Sequence, residues 1–436
     1  MIVAPALRHP IRASVAATTL GPQKEKEAHS TMFTAPETQR ADPGKVRGRS
    51  KLRKIAKWSL ILVVVLGVLF YGGGGWYFSN QLFTLGLSGA ARRSLQPSYN
   101  IQVASVGTNS ITLDTNSATP SEVTHNGTWG LQWPSGYGQI TSIKKQSAHA
   151  IQRAFTLITG TNPRPGLKVA IDSEAFPDNP KVALGIDYQN VSYKGPLGNY
   201  PSWYIPGTSS TWAITVHGNA MTRLDGMKAV PTLKSLGMPI LMISYRNDPG
   251  APQSKSDLLR YGLTEWQDLQ AAVSYALSHG AKHVVLLGYS MGGGIVTNFL
   301  LRSSLASKVS AVVLDAPMEN FSTTVDFDAS QMSLPLIGIP LPQSLTDVAK
   351  WISSWRYGVA WNQLNYLTEV KQLKTPILLF QGLSDKTVPA TTSEEMANAR
   401  PHLITYITTP GAGHLESWNL NPQSYDNEMK SFLEQH

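Results

Sequence analysis

The stretch "GYSMG", Gly288 to Gly292, holds Ser290 between glycines at two residues' distance on each side. A serine hydroxyl becomes a nucleophile only when a base takes its proton, and a histidine base works best when a carboxylate holds its ring. Both partners occur downstream, Asp385 in "QGLSDKTVP" and His414 in "TPGAGHLES". Each of the three residues follows a short apolar run: "HVVLLGY" before Ser290, "PILLF" before Asp385 and "LITYITT" before His414. The order Ser290, Asp385, His414, each just past a buried strand, predicts nucleophile, orienting acid and base. The flanking glycines fit a sharp strand-to-helix turn that crowds its neighbours. Asp315, in "VVLDAP", also closes an apolar run and is the second candidate for the acid; Asp385 is preferred, with Asp315 read as an acceptor that shapes its loop. An oxyanion needs two preorganised N–H donors. Met291 supplies one at the start of the nucleophile helix, and the turn in "TVHGNAMTR" supplies the other through the backbone of Asn219, with Ala220 as the alternative. His217, in the same turn, is read as structural.

Positioning these groups requires a scaffold, and the chain after residue 205 has the rhythm of one. Apolar runs at 212–218, 239–245, 283–290, 309–316, 375–382 and 402–409 alternate with amphipathic stretches such as "LTEWQDLQAAVSYALSHG". That alternation predicts an α/β fold with a mostly parallel central sheet covered by helices on both faces. Ligands of such a sheet sit beyond the carboxyl ends of its strands, where all the candidate residues fall. The catalytic domain is expected to span 190–436, with a small helical lid over about 320–368. There Leu334, Leu336, Ile337 and Ile339, with Trp351, Trp355 and Trp361, either pack on the sheet or form an acyl or aromatic pocket. Residues 79–189 are rich in Ser, Thr, Asn, Gly and Pro and read as a β-rich attachment, interrupted by one helix over "TSIKKQSAHAIQRAFTLI".

The chain has 436 residues and no cysteine, which excludes disulfides, thiolate metal sites and a cysteine nucleophile. Its formal charge of +9 is concentrated: Lys45 to Lys57 holds seven basic and no acidic residues, and the chain after Lys57 is within one charge of neutral. A basic groove for nucleic acid is therefore not expected. Immediately after the basic cluster, Trp58 to Phe78 runs without a charge for about the 20 residues a bilayer requires. The expected organisation is a disordered basic cytoplasmic tail over 1–57, a transmembrane helix over 58–78, and a body outside the cytoplasm. Secretion after signal cleavage near "LSGAARR", Leu87 to Arg93, is the alternative. The oligomeric state is left open.

Taken together, "HGNA", "GYSMGG", "GLSDKTVP" and "GAGH" resemble the oxyanion loop, nucleophile elbow, acid and histidine of the α/β-hydrolase superfamily over residues 190–436. Within it the chain is similar to exported, singly anchored serine hydrolases of actinobacteria, lysophospholipase-like or aminopeptidase-like, in "ISYRNDPGAP" and "GLTEWQDLQAAVSYAL" as well. Gln381 departs from the pattern, since relatives commonly carry histidine there. The resemblance implies hydrolysis of carboxylic esters or thioesters through an acyl-enzyme, on a small-molecule or lipid ester, with no cofactor or metal. A serine peptidase of the same fold and a non-catalytic tethered binding protein are the alternatives.

Overall fold

The structure, a computed structural model, describes residues 47–94, 96–116, 119–334 and 338–436. It falls into two compact units, one ending at Gly73 and the other covering Gly74–His436. The first is helical from Arg47 to Val68, so the basic residues from Arg47 onward, expected to be disordered, are helical instead. Arg, Lys, Leu and Ala are all good helix formers, and the run contains no proline. The expected tail before Arg47 lies outside the described residues. The helical run Lys51–Leu87 is long and apolar enough to cross a membrane, and it extends beyond the 58–78 expected from the sequence.

The second unit is built on an eight-stranded sheet. Its strands are β7 (Gln189–Gly195), β8 (Gly198–Ile205), β9 (Thr211–Val216), β10 (Ile240–Ile243), β11 (His283–Tyr289), β12 (Val309–Asp315), β13 (Ile377–Gly382) and β14 (Ile404–Thr409). Their order is β14-β13-β12-β11-β9-β10-β8-β7. All neighbours from β14 to β10 are parallel, and the edge pair β8 and β7 is antiparallel. Strand side chains alternate between faces, so each strand feeds two cores. Ile214, Leu286, Val312 and Leu379 pack into one. Ala213, Val285, Val313 and Leu378 pack into the other.

Ahead of this sheet, six strands close an antiparallel barrel: β1 (Ile101–Gly107), β2 (Ser110–Asp114), β3 (Trp129–Trp133), β4 (Gly136–Gln146), β5 (Ala150–Gly160) and β6 (Lys168–Asp172). The helix expected over 141–158 is therefore wrong: this stretch is the end of β4, a turn and most of β5. Ile151, Arg153 and Phe155 point inward at strand spacing. The inward arginine interrupts the apolar alternation that would have marked the strand. Its guanidinium donates to the carbonyls of Thr141, Val123, His125 and Gly127, which satisfies it without a carboxylate.

Between β12 and β13 the chain forms helices Phe321–Ser330 and Gln343–Tyr357 and two short 3-10 turns. Of the apolar residues singled out there, Leu334 is buried, Trp361 stacks on Phe321, and Ile339, Trp351 and Trp355 are exposed. Leu336 and Ile337 lie outside the described residues.

Candidate active site

The parallel register brings the carboxyl ends of five strands level. Val216 of β9 pairs with Gly288 of β11, Tyr289 of β11 with Asp315 of β12, and Gly382 of β13 with Thr409 of β14. Ser290 follows β11 with φ 50° and ψ −117°, a conformation that costs a non-glycine residue about 1–3 kcal/mol. Three backbone bonds hold it there. Ser290 N donates to Asp315 O (3.0 Å), and Ser290 O accepts from Met318 N (3.0 Å) and Gly293 N (2.9 Å). The turn also needs its glycines: a β-carbon at 292 would lie 2.1 Å from Val216 O, and one at 288 would lie 2.8 Å from Gly292 O.

His414 Nε2 lies 2.9 Å from Ser290 Oγ, and its Nδ1 lies 2.8 Å from Asp385 Oδ2. With Nδ1–H donating to the carboxylate, Nε2 is left to accept the serine proton. Asp385 is buried, and burial pushes its carboxyl up. The facing His414, its hydrogen bond and the N–H groups of Thr387 (2.7 Å) and Val388 (2.9 Å) outweigh that and hold it below the usual carboxylate range. Gln381, fully buried, donates from Nε2 to the same Oδ2 (3.2 Å), and Ser393 Oγ in turn donates to its Oε1 (2.8 Å). Asp315 is brought near through its backbone rather than its carboxylate. Burial pushes that carboxyl up to about 6, against the pull of Lys228.

The turn after β9 abuts the serine: a β-carbon on Gly218 would lie 3.0 Å from Ser290 Cβ. Gly218 N is occupied, donating to Asp225 Oδ2 (2.9 Å), and Asn219 is held through its side chain, whose Nδ2 donates to Tyr261 Oη (3.1 Å). Met291 is the first residue of the helix Met291–Arg302. His217 faces away from this chemistry. Its Nε2 is 2.7 Å from Asp248 Oδ2 and its ring stacks on Tyr245 at 4.4 Å. Arg92 pairs with Asp248 (2.9 Å) and donates to Met221 O (2.6 Å), which ties the segment after the N-terminal helix to the same turn. Burial alone would raise Asp248, but His217 and Arg92 hold its carboxyl below the usual range.

A second brace supports the histidine loop. Lys228 Nζ, buried, donates to Leu415 O (2.9 Å) and Asn419 Oδ1 (2.7 Å), and Asn419 Nδ2 donates to Thr128 O (2.8 Å) and Ser173 O (2.9 Å). Gly413 N donates to Glu416 Oε2 (2.8 Å), a carboxyl that burial pushes up to about 7. Sequence reading missed Arg92, Lys228 and Asn419, and it marked Gln381 only as a departure from the family pattern, not as a partner of Asp385. The only signal was indirect, a buried-strand glutamine and an arginine pair closing a long uncharged run. Among the described residues, no group of three or more His, Cys, Asp or Glu could hold a metal ion.

Comparison with known proteins adds three findings. A family model described as the alpha/beta hydrolase family matches residues 205–426, half of the chain. The Arabidopsis thaliana alpha/beta hydrolase domain-containing protein WAV2 is 25% identical over 277 residues, covering 61% of this chain and 84% of its own, and the Escherichia coli K12 protein YfhR is 24% identical over 280 residues, covering 61% and 88%. Among solved structures, the Pyrococcus furiosus esterase Pf2001 aligns with 59% of this chain and 96% of its own at 20% identity and a TM-score of 0.48.

Proposed function

This chain belongs to the alpha/beta hydrolase family, and from that premise we propose that it is a membrane-anchored serine hydrolase acting on carboxylic esters or thioesters. The observation that carries the reading is the hydrogen-bonded series Ser290, His414, Asp385 at the carboxyl ends of β11, β14 and β13. Ser290 Oγ attacks the acyl carbon while His414 Nε2 takes its proton, and Asp385 holds the imidazolium. The tetrahedral oxyanion is met by the backbone N–H groups of Asn219 and Met291, the second at a helix N-terminus. His414 returns the proton to the leaving group, and water then cleaves the acyl-enzyme by the same route in reverse.

An apolar cavity supports an acyl group as the substrate's non-reacting part. Phe78, Leu82 and Leu85 form one wall and Ala329, Met332 and Leu341 another. Asp328, at its edge, is within electrostatic reach of His414 and Asp385. In this role the segment between β12 and β13 acts as the lid. A retained anchor fits better than a cleaved signal. Leu82 and Leu85 wall the cavity, Gly89 N donates to Asp257 O, Arg93 pairs with Asp257 and Arg92 with Asp248, so cleavage near Leu87–Arg93 would open the body itself. The seven basic residues before the apolar run favour that end in the cytoplasm and the catalytic body on the opposite side.

A fluorophosphonate probe tests the nucleophile on the full chain. Labelling of the wild type and none of Ser290→Ala is expected, with hydrolysis of a short p-nitrophenyl ester falling at least about 1,000-fold. Equal labelling of both proteins would exclude Ser290. Esters graded by acyl length, run beside a peptide amide, then separate esterase from peptidase.

A further inference from the structure

We propose that the body of this protein makes a second membrane contact, in which Trp351 and Trp355 of the helix Gln343–Tyr357 seat in the interfacial layer of a phospholipid bilayer beside the N-terminal helix. The proposal rests on the membrane-anchored reading above and goes beyond it, adding a lipid contact made by the catalytic unit itself.

Chain length sets the level at which the anchor leaves the lipid. No charged residue occurs from Trp58 to Ala91, and a span of about 20 residues beginning at Trp58 ends close to Tyr77. The helix Gly74–Leu82 is thus the exit end, and Trp76 and Tyr77 on it are about half exposed, as aromatic residues at a lipid boundary are.

The helix Gln343–Tyr357 is bound alongside that exit end in parallel register. A β-carbon at Gly74 would lie 3.1 Å from Leu345, and one at Gly75 would lie 2.6 Å from Val348. Farther along, Ser353 Oγ donates to Ser79 Oγ (3.0 Å) and Arg356 Nη1 donates to Asn80 Oδ1 (2.8 Å). Missing side chains at 74 and 75 let the two helices approach closely, the small-residue packing common between helices in lipid. Residues 345–356 therefore stand level with 74–80, at the boundary.

Trp351 and Trp355 are one turn apart on a face next to the packed one, and they are 70% and 73% exposed. Tryptophan is the residue type that gains most from a layer with an apolar side and a wet side. The Arg356 guanidinium lies 3.7 Å from the centroid of the Trp76 ring, which places a fixed cation at the height of the lipid phosphates. Ile339, also exposed, adds apolar surface on the loop before the helix. A bilayer is favoured over a second copy of the chain as the occupant because the anchor guarantees lipid within a few residues of this face, whereas a second copy must be recruited.

The absence of cysteine makes the test clean, since a single introduced thiol labels one site. Val64→Cys in the apolar run, Trp351→Cys, Trp355→Cys and the exposed control Leu383→Cys are each labelled with an environment-sensitive fluorophore in the full-length protein. Each is reconstituted into phosphatidylcholine–phosphatidylglycerol vesicles with and without nitroxide-bearing lipid. Labels at 64, 351 and 355 should be quenched about twofold or more, those at 351 and 355 best by a headgroup-level nitroxide, while the label at 383 stays unquenched. Quenching at 64 with 351 and 355 matching 383 overturns this proposal and leaves the anchor standing. No quenching at 64 overturns the anchor and this proposal with it. Energy transfer between differently labelled copies at 351, without lipid quenching, assigns the face to self-association and overturns the bilayer.

Discussion

Asp385 receives four hydrogen bonds on its two oxygens, and only one comes from His414. The two backbone N–H groups fix Oδ1, so the direction of Oδ2 toward the imidazole depends on Gln381. Replacing Gln381 with Leu should lower kcat about 10-fold while KM for a short ester stays unchanged, because the loss falls on orientation rather than substrate contact. Gln381→His, which keeps a donor, should recover most of the rate; an unaltered kcat in Gln381→Leu would remove Gln381 from the positioning role. Arg92 is a different case, a buried charge whose partner stays behind when it is removed. Arg92→Met should cost about 3–5 kcal/mol by denaturant midpoint, since the buried Asp248 loses its cation and keeps only His217 and the Tyr245 N–H as partners.

At the scale of elements, the Ser290 turn depends on contact between the start of the helix Met291–Arg302 and the end of β9. Gly292→Ala places a β-carbon against Val216 O, and the backbone on both sides must move. We expect kcat/KM to fall about 100-fold or more, with the fluorophosphonate reaction slowed in parallel. The barrel is coupled to the histidine loop through Asn419, which bonds Thr128 just before β3 and Ser173 just after β6. Asn419→Ala removes those bonds and one partner of the buried Lys228 ammonium, so the thermal midpoint should drop by the equivalent of about 2 kcal/mol. Six of the eight sheet strands, β9 to β14, were legible as mainly apolar runs between turn residues, whereas the more polar edge strands β7 and β8 were not among the runs read. β4 and β5 were not, because the inward arginine at 153 mimics the polar position of a helix.

For the molecule as a whole, buried carboxyls govern the dependence of stability on pH. Burial raises Glu319 from 4.5 to about 7, Glu416 from 4.5 to about 7 and Asp315 from 3.8 to about 6. The folded state therefore binds protons more tightly than the unfolded chain at these sites, and stability falls as pH rises from about 4 to about 7. Asp385 and Asp248 act in the opposite sense: their stabilisation is present above the ordinary carboxyl range and is lost as pH falls through their lowered values. The unfolding midpoint should thus be higher near pH 5.5 than at pH 8 and fall again below about pH 4. Glu319, wholly buried with Thr297 donating to one oxygen, offers a single-site check. Glu319→Gln should raise stability at pH 8 by up to about 3 kcal/mol and flatten the slope between pH 5.5 and 8. An unchanged slope would assign the effect elsewhere.

Local chemistry was enough to read the α/β alternation, the three strand-end residues Ser290, Asp385 and His414, and the uncharged run after a basic cluster. Each is written in contiguous residues whose period, length or flanking glycines carry the signal. What holds those residues in place was decided by tertiary structure. Arg92 reaches His217 across 125 positions, and Asn419 reaches Thr128 across 291. No local periodicity encodes such pairings, because they arise only when the sheet brings distant strand ends level and buried polar groups must find partners there. The same holds for Trp351 and Trp355, which read in the sequence as packing on the sheet or lining a pocket and are exposed because the packed face of their helix is taken by Gly74, Gly75 and Ser79.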